Sequence, residues 1–243
     1  MYTNNWINEL GTFQIFHKIK DGNGSRITNK YLRTIIEEIA RNSSKQLIET
    51  NLIPPFAYRE KQFHTVMAPA ISKVSDYYLM ESPVQRNWSR LDINTSDQHG
   101  WVDYWSSFKN YDYYIELKHG FRAYQSKVIR QTEIEKWEEA CLQLESLQDE
   151  IIMQKEHCEG IFPITFHALP IYVQSKNKEK LSKILFEPKD IQIETMESIS
   201  EKFPSNWSCL WTLDDSINNV HEYVDGYEKY PAILFLVKVF DKK

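Results

Sequence analysis

The sequence predicts an α/β (α+β) domain in which helices flank a mixed β-sheet. Two segments with apolar residues every three or four positions come first, followed by short segments rich in Tyr, Trp, Val and Ile, a longer helical segment and further strand-like segments. Hydrophobic residues make up 42% and aromatic residues 14% of the 243 residues, which is enough for a sizeable core. No Gly/Ser/Pro-rich linker or internal repeat divides the chain, so we expect a single domain over residues 1–243.

The first two helices are expected at Thr28–Arg41 and Tyr58–Tyr78. Thr28 stands where the cap of the first helix would lie, directly before the periodic apolar positions. The second helix carries Glu60 in its first turns, and Pro69 is expected to kink or split it.

A third helix is predicted over Thr132–Lys155, with Gly160 marking its end. Its apolar residues follow a heptad-like spacing, which is most often core packing and would also suit the seam of a homodimer. His157 and Cys158 follow this helix, but the sequence offers them no partner pair at the spacing of a zinc site.

Strands are expected where β-branched and aromatic residues cluster between turn residues. These segments are Tyr77–Val84, Trp101–Phe108, Tyr111–Lys118, Ile161–Gln174, Cys209–Thr212 and Ile233–Phe240. Pro163 and Pro170 should limit the place of the fourth segment in a hydrogen-bonded ladder. The C-terminal third, about residues 176–243, has no predicted role.

The candidate site lies in the stretch GWVDYWSSFKNYDYYIELKHG, residues 100–120. Side chains alternate across a strand, so Glu116 and Lys118 share one face and Leu117 points to the other. If residues 109 and 110, Lys-Asn, form a two-residue turn, counting back from it places Asp103 opposite Glu116. A slip of one residue would separate the two acids.

Two facing carboxylates repel each other unless a cation lies between them. Mg²⁺, with Mn²⁺ as an alternative, prefers oxygen ligands, and Asp103, Glu116 and the backbone carbonyl of Leu117 would supply them. Lys118 would then orient a water molecule or stabilise charge on a phosphate. The competing interpretation is a solvated hairpin end with a surface salt bridge, because acid-x-Lys triplets are common.

The order of these segments and acids resembles the PD-(D/E)xK, or restriction endonuclease-like, nuclease superfamily over roughly residues 58–175. The resemblance implies an αβββαβ core and a metal-dependent nuclease in which Asp103, Glu116 and Lys118 are the motif residues. Val102 stands where the motif has its proline. An acid or amide on the first core helix would complete the site, with Glu60 as the candidate, Gln62 as an alternative and Glu81 as a weaker one.

Basic residues after the motif are candidate contacts to nucleic acid, with DNA the expected partner. Arg122, Lys127 and Arg130 would hold phosphates if they line the rim of the site, and His119 would assist proton transfer. For each of these residues an ordinary solvated position is the commoner explanation.

Three tryptophans could stack on bases of single-stranded nucleic acid, although aromatic residues on strands are more often part of a core. They are Trp88, Trp101 and Trp105.

Composition excludes several other classes of protein. The net charge of −5 argues against coating of nucleic acid by bulk charge, and the sequence has no P-loop, nucleophile elbow, HExxH or dinucleotide-binding turn. The three cysteines form no C-x-x-C pair, and no signal peptide or membrane-length apolar run is present, so a soluble, cytoplasmic protein without a membrane partner is expected. Two alternatives stay open: a catalytically inactive nucleic-acid- or protein-binding module on the same fold, and a different α+β enzyme.

Overall fold

The computed structural model of the chain describes residues 4–17, 19, 22, 24–50, 53–87, 99–124, 126, 128–147, 158–183, 199, 201–214, 216–217 and 219–240. These residues form an α/β structure with a mixed sheet, as predicted. The helices are α1 (Ser25–Thr50), α2 (Glu60–Val74), α3 (Gln131–Glu145) and α4 (Lys178–Ser182), with a 3-10 turn at Pro55–Ala57. The strands are β1 (Asn4–Asn8), β2 (Gly11–His17), β3 (Tyr77–Gln85), β4 (His99–Phe108), β5 (Tyr111–His119), β6 (Arg122–Ala123), β7 (Gly160–Ser175), β8 (Trp207–Leu213), β9 (Val220–Tyr223) and β10 (Gly226–Val239).

One sheet contains all of these strands. Its order is β1-β2-β8-β10-β7-β5-β4-β3, with β6 beside β7 and β9 beside β10. The β5 and β6 strands run parallel to β7, and the other recorded pairs are antiparallel. The C-terminal third therefore has a structural role, because it supplies β8 and β10 to the middle of the sheet.

Helices cover both faces of the sheet. The α1 and α2 helices pack on one face, where alternate residues of β5 and β7 such as Ile115, Leu117 and Phe166 join the main apolar core. The α3 helix packs on the other face, where Trp137 joins a second cluster with Leu169 and neighbouring side chains. Within the described residues, no helix is both long and apolar enough to cross a membrane.

The first helix begins one turn earlier than its sequence pattern suggests. The first residue of α1 is Ser25. Its hydroxyl accepts a hydrogen bond from the Gly22 amide at 3.1 Å and donates one to the Gly22 carbonyl at 2.9 Å. The Thr28 amide already donates to the Gly24 carbonyl at 2.9 Å, and Thr28 is fully buried. The prediction of Thr28 as a cap is therefore wrong, because the helix begins at Ser25 and continues to Thr50.

The second and third helices also differ from their predicted bounds. The α2 helix runs through Pro69 without being split. The α3 helix ends at Glu145 rather than continuing to Lys155, since Leu147 forms an isolated β-bridge with Arg86. His157 and the rest of 148–157 lie outside the described residues.

The two prolines of β7 lie in a central strand, contrary to expectation. Pro170 falls between Ala168, the last residue of β7 that pairs with β5, and Ile171, the first that pairs with β6. The ladder is interrupted on that side, so a residue without an N–H is tolerated there. Pro163 lies near the start of β7, where its carbonyl accepts from the Phe240 amide at 3.0 Å.

Candidate active site at a strand fork

The hairpin between β4 and β5 turns through two residues, as predicted. Lys109 and Asn110 have φ values of 52° and 64°, the left-handed backbone typical of a type I′ turn. Phe108 pairs with Tyr111 directly across the turn. The register counted from the sequence is therefore the register of the folded hairpin.

Beyond the hairpin the two strands separate. Their last recorded pair is Tyr104 with Ile115, which makes Asp103 and Glu116 the next facing positions. From there β4 continues beside β3, whereas β5 continues beside β7. We call the resulting gap the fork; it is bounded by Asp103 on one strand and by residues 116–119 on the other.

Side chains occupy the edge of β5 that faces the fork. The Leu117 amide donates to Asp103 Oδ2 at 2.7 Å, and the His119 amide donates to Glu60 Oε2 at 3.2 Å. Lys136 Nζ donates to the His119 carbonyl at 3.1 Å. Amides two residues apart on a strand are separated by roughly 7 Å. The carboxylates of Asp103 on β4 and Glu60 on α2 therefore bind to the same edge of β5. The Leu117 carbonyl lies on this edge too, next to the Leu117 amide.

Glu116 and Lys118 form an ion pair inside the fork. Lys118 Nζ lies 3.1 Å from Glu116 Oε1, and both side chains are largely buried. Glu116 Oε2 is buried without a hydrogen-bond partner among the described residues. Burial, followed by the charge of Asp103, raises the Glu116 pKa to about 7, although Lys118 and Arg86 oppose the rise. Burial alone would lower the Lys118 pKa, but the surrounding carboxylates outweigh it and raise this pKa, so the amine stays protonated.

Arg86 is a second cation at the fork, which sequence reasoning missed. Its guanidinium is buried and donates to the Trp101 carbonyl at 2.6 Å, to Ser146 Oγ at 3.4 Å and to the Gln143 carbonyl. A Cβ at Gly100 would lie 2.2 Å from Arg86 Nε, so the glycine leaves room for this side chain. Burial lowers the Arg86 pKa, while the Glu116 and Asp103 charges oppose that effect. The cation also stabilises the carboxyl end of α3.

A cavity of about 580 Å³ opens beside the fork. Its lining includes Glu60 and three cationic side chains, Arg59, Lys61 and Lys136. Arg59 and Lys61 flank Glu60 in the sequence, whereas Lys136 comes from α3, and no sequence pattern connects it with the hairpin. Positive charge next to the acids suits an anionic ligand such as a phosphate.

The His119 side chain does not face the fork. Its Nε2 lies 3.0 Å from the Phe56 carbonyl, and its ring contacts the rings of Phe63 and Phe121. Burial lowers the His119 pKa to about 3, so the imidazole is neutral at physiological pH. On β5 its side chain lies on the face opposite Lys118, and it also lines the cavity beside the fork, so a part in proton transfer stays a prediction.

Of the three predicted phosphate contacts, the structure describes Arg122 and Arg130, and neither lines the cavity beside the fork. Arg122 is buried and donates to the Ser126 carbonyl at 2.7 Å, so it lies inside the protein rather than on an open rim. The pairing along β7 puts Arg122 four residues, about 13 Å, beyond Lys118. Arg130 is exposed at the start of α3. Lys127 lies outside the described residues.

The alternative amide and acid, Gln62 and Glu81, are both exposed. Gln62 is exposed and lines the 580 Å³ cavity. Glu81 falls between two recorded β3–β4 pairs and so stands beside Asp103, but its side chain is exposed and its φ is 49°.

Trp101 is 63% exposed, contrary to the expectation of a core position, and Trp105 is partly exposed. Trp88 lies outside the described residues.

The fork offers oxygen ligands from several elements. Among the described residues, no three side chains of His, Cys, Asp or Glu converge closely enough to hold a metal ion. An ion at the fork would therefore need the Leu117 carbonyl and water in addition to Asp103 and Glu116. In comparisons with known proteins, no family model matched the chain, and no similar curated protein was found.

Proposed function

We propose that the protein is a Mg²⁺-dependent nuclease that hydrolyses phosphodiester bonds in nucleic acid, with DNA as the expected substrate. One observation carries the proposal: Asp103, Glu116, Lys118 and Glu60 gather at one fork in the sheet, beside a cavity lined by cations. These four residues come from three elements, β4, β5 and α2, and the sequence pattern predicts all four as site residues.

The order of elements supports a restriction endonuclease-like domain. An α2-β3-β4-β5-α3-β7 succession follows the αβββαβ order of that superfamily, apart from the two-residue β6 before α3. The β3, β4 and β5 strands are antiparallel neighbours, and β7 runs parallel to β5. The superfamily assignment and the nuclease function remain proposals that rest on this order and on the fork.

The fork suits a hard divalent cation. Asp103 and Glu116 lie at facing positions of the fork and Glu60 reaches the same edge of β5, so three carboxylates surround the place where a cation would bind. Among the described residues no donor reaches Glu116 Oε2, which is buried where desolvation is costly. Asp103, Glu116 and the Leu117 carbonyl would hold the ion, which when bound lowers the pKa of a water molecule and shields charge on the phosphate.

The remaining side chains have distinct roles in this proposal. Lys118 acts as a cationic donor rather than a base, because its raised pKa keeps it protonated; it would stabilise charge that develops on the phosphate oxygens. Glu60 fixes the edge of β5 by accepting the His119 amide and completes the acid set. Arg59, Lys61 and Lys136 would hold neighbouring phosphates along the cavity.

A second candidate function is a catalytically inactive nucleic-acid-binding module on the same fold. It is favoured by the separation of the acids, since no three of their side chains converge in the described part of the chain. In that case the cation-lined cavity would bind phosphates, and the ion pair between Glu116 and Lys118 would stay intact without a metal ion. Binding without cleavage distinguishes this module from the nuclease.

Cleavage assays test the proposal. The protein is incubated with plasmid, linear duplex, single-stranded DNA and RNA in Mg²⁺, Mn²⁺ or EDTA. We expect metal-dependent cleavage that falls roughly 100-fold or more in Glu116→Gln and in Lys118→Met. Glu135→Gln and Lys45→Met are matched controls at exposed helix positions and should leave the rate unchanged. Cleavage that persists in EDTA, or that both fork variants retain, would contradict the proposal.

A further inference from the structure

A second cavity, about 360 Å³ in volume, lies next to the fork cavity and has a different character. Four tyrosines line it, Tyr58, Tyr172, Tyr223 and Tyr230. Tyr172 and Tyr230 are packed against each other with ring centroids 6.3 Å apart, whereas Tyr58 and Tyr223 are 42% and 49% exposed. Two of the tyrosine rings are therefore accessible to a ligand, and the other two are packed against each other in the lining.

The tyrosine cavity lies within reach of the fork. Phe121 lines both cavities, so they adjoin each other. Tyr58 precedes Glu60 by two residues, which limits the separation of their Cα atoms to about 7 Å. A nucleotide whose phosphate lies among Arg59, Lys61 and Lys136 in the fork cavity would therefore have its base within reach of Tyr58.

Polar groups in the wall suit the edge of a planar heterocycle. His221 Nε2 is buried without a hydrogen-bond partner among the described residues, and burial lowers the His221 pKa, so the neutral ring has a donor and an acceptor. Glu228 already accepts from Tyr230 Oη and from Gln174 Nε2, each at 2.6 Å. Arg130 is exposed at the same cavity and provides a cation for a flanking phosphate.

We infer that the tyrosine cavity binds an unstacked base of a single-stranded nucleic acid whose phosphate lies at the fork. The inference rests on the proposed function and specifies its substrate class. Bases of single strands stack on aromatic side chains without regard to sequence, while neighbouring cations follow the backbone. In a duplex the bases are stacked inside and cannot enter a cavity of this size, so a single strand or a frayed end is the better fit.

Equilibrium binding tests the inference independently of catalysis. Glu116→Gln is titrated in EDTA against a fluorescent single-stranded oligonucleotide, a blunt duplex of the same sequence and a mononucleotide, with anisotropy as the readout. The same titrations are made with Tyr58→Ala and Tyr223→Ala added together. Tyr77→Ala is the matched control, because Tyr77 is 71% exposed on β3 and does not line the cavity.

We expect the single strand to bind more tightly than the duplex and the mononucleotide. Removal of the two rings should weaken single-strand binding about 5- to 150-fold for each base that stacks. Equal binding of strand and duplex, equal binding of strand and mononucleotide, or binding unchanged by loss of both rings would overturn the inference. The control should bind like its parent.

The two proposals fail in different ways. Metal-dependent cleavage that is lost in Glu116→Gln, together with tyrosine-independent binding, would overturn the base subsite and leave the nuclease standing. Tyrosine-dependent binding of single strands without cleavage in any metal would overturn the nuclease and leave the subsite standing.

Discussion

Replacement of Glu116 by glutamine should make the protein more stable above neutral pH while abolishing its metal-dependent function. Glutamine has nearly the same shape as glutamate, and its amide oxygen can still accept from Lys118 Nζ, which lies 3.1 Å from Glu116 Oε1. The substitution removes a carboxylate that is buried near Asp103. It therefore separates the electrostatic cost of this site from its packing.

The size of the effect follows from the Glu116 pKa, which burial and the Asp103 charge raise from 4.5 to about 7. The folded state holds the proton more tightly than the unfolded state does, so this group's stabilising contribution is complete below pH 4.5 and is lost as the pH rises through 7. Between pH 5 and pH 8 the loss amounts to roughly 2 to 3 kcal/mol. The glutamine side chain does not titrate, so the variant should lack this pH-dependent loss of stability.

Urea denaturation of both proteins at pH 5 and pH 8 in EDTA measures this difference. The free energy of unfolding of the native protein should fall by roughly 2 to 3 kcal/mol more than that of Glu116→Gln over this range. Saturating Mg²⁺ should then restore stability to the native protein at pH 8 but not to the variant. Glu135→Gln, at an exposed position of α3, is the control. Identical pH dependence in native protein and Glu116→Gln would refute the reasoning.

Two further substitutions separate structure from chemistry. Asp103→Asn keeps an acceptor for the Leu117 amide, which lies 2.7 Å from Asp103 Oδ2. The free energy of unfolding should therefore change by less than about 1 kcal/mol, while the cleavage rate falls roughly 100-fold. Denaturation and cleavage assays measure the two effects, and equal losses of stability and rate would contradict this prediction. Gly100→Ala should destabilise the protein by about 1 to 3 kcal/mol, because the new Cβ would lie 2.2 Å from Arg86 Nε, whose guanidinium is held by hydrogen bonds. Gly160→Ala, whose Cβ would approach only side-chain atoms at 3.3 Å or more, is its control, and equal melting temperatures for the two would contradict the clash.

The hairpin was predictable because its information is local. Alternation along β5 put Glu116 and Lys118 on one face, and a two-residue turn set the register of β4 against β5. The second helix was predictable in the same way from its turn residues and apolar period, although the predicted start at Tyr58 lies two residues before the observed one. These features depend on a few neighbouring residues and therefore appear in the sequence.

Features that depend on distant pairing did not appear in the sequence. The positions of β8 and β10 in the middle of the sheet depend on contacts with β2 and β7, which no local pattern specifies. The fork forms where β4 and β5 separate to continue beside β3 and β7, whereas the sequence showed only two acids and a lysine. Arg86 and Lys136 reach the site from β3's end and from α3, so their roles emerged only from the folded arrangement.

The central claim is that the fork holds a divalent cation, and anomalous diffraction from a crystal soaked in Mn²⁺ tests it most directly. We expect one strong anomalous peak bonded to carboxylate oxygens of Asp103 and Glu116 and to the Leu117 carbonyl, and its loss in Glu116→Gln. An empty fork at saturating Mn²⁺, or a peak that the variant retains, would contradict the account.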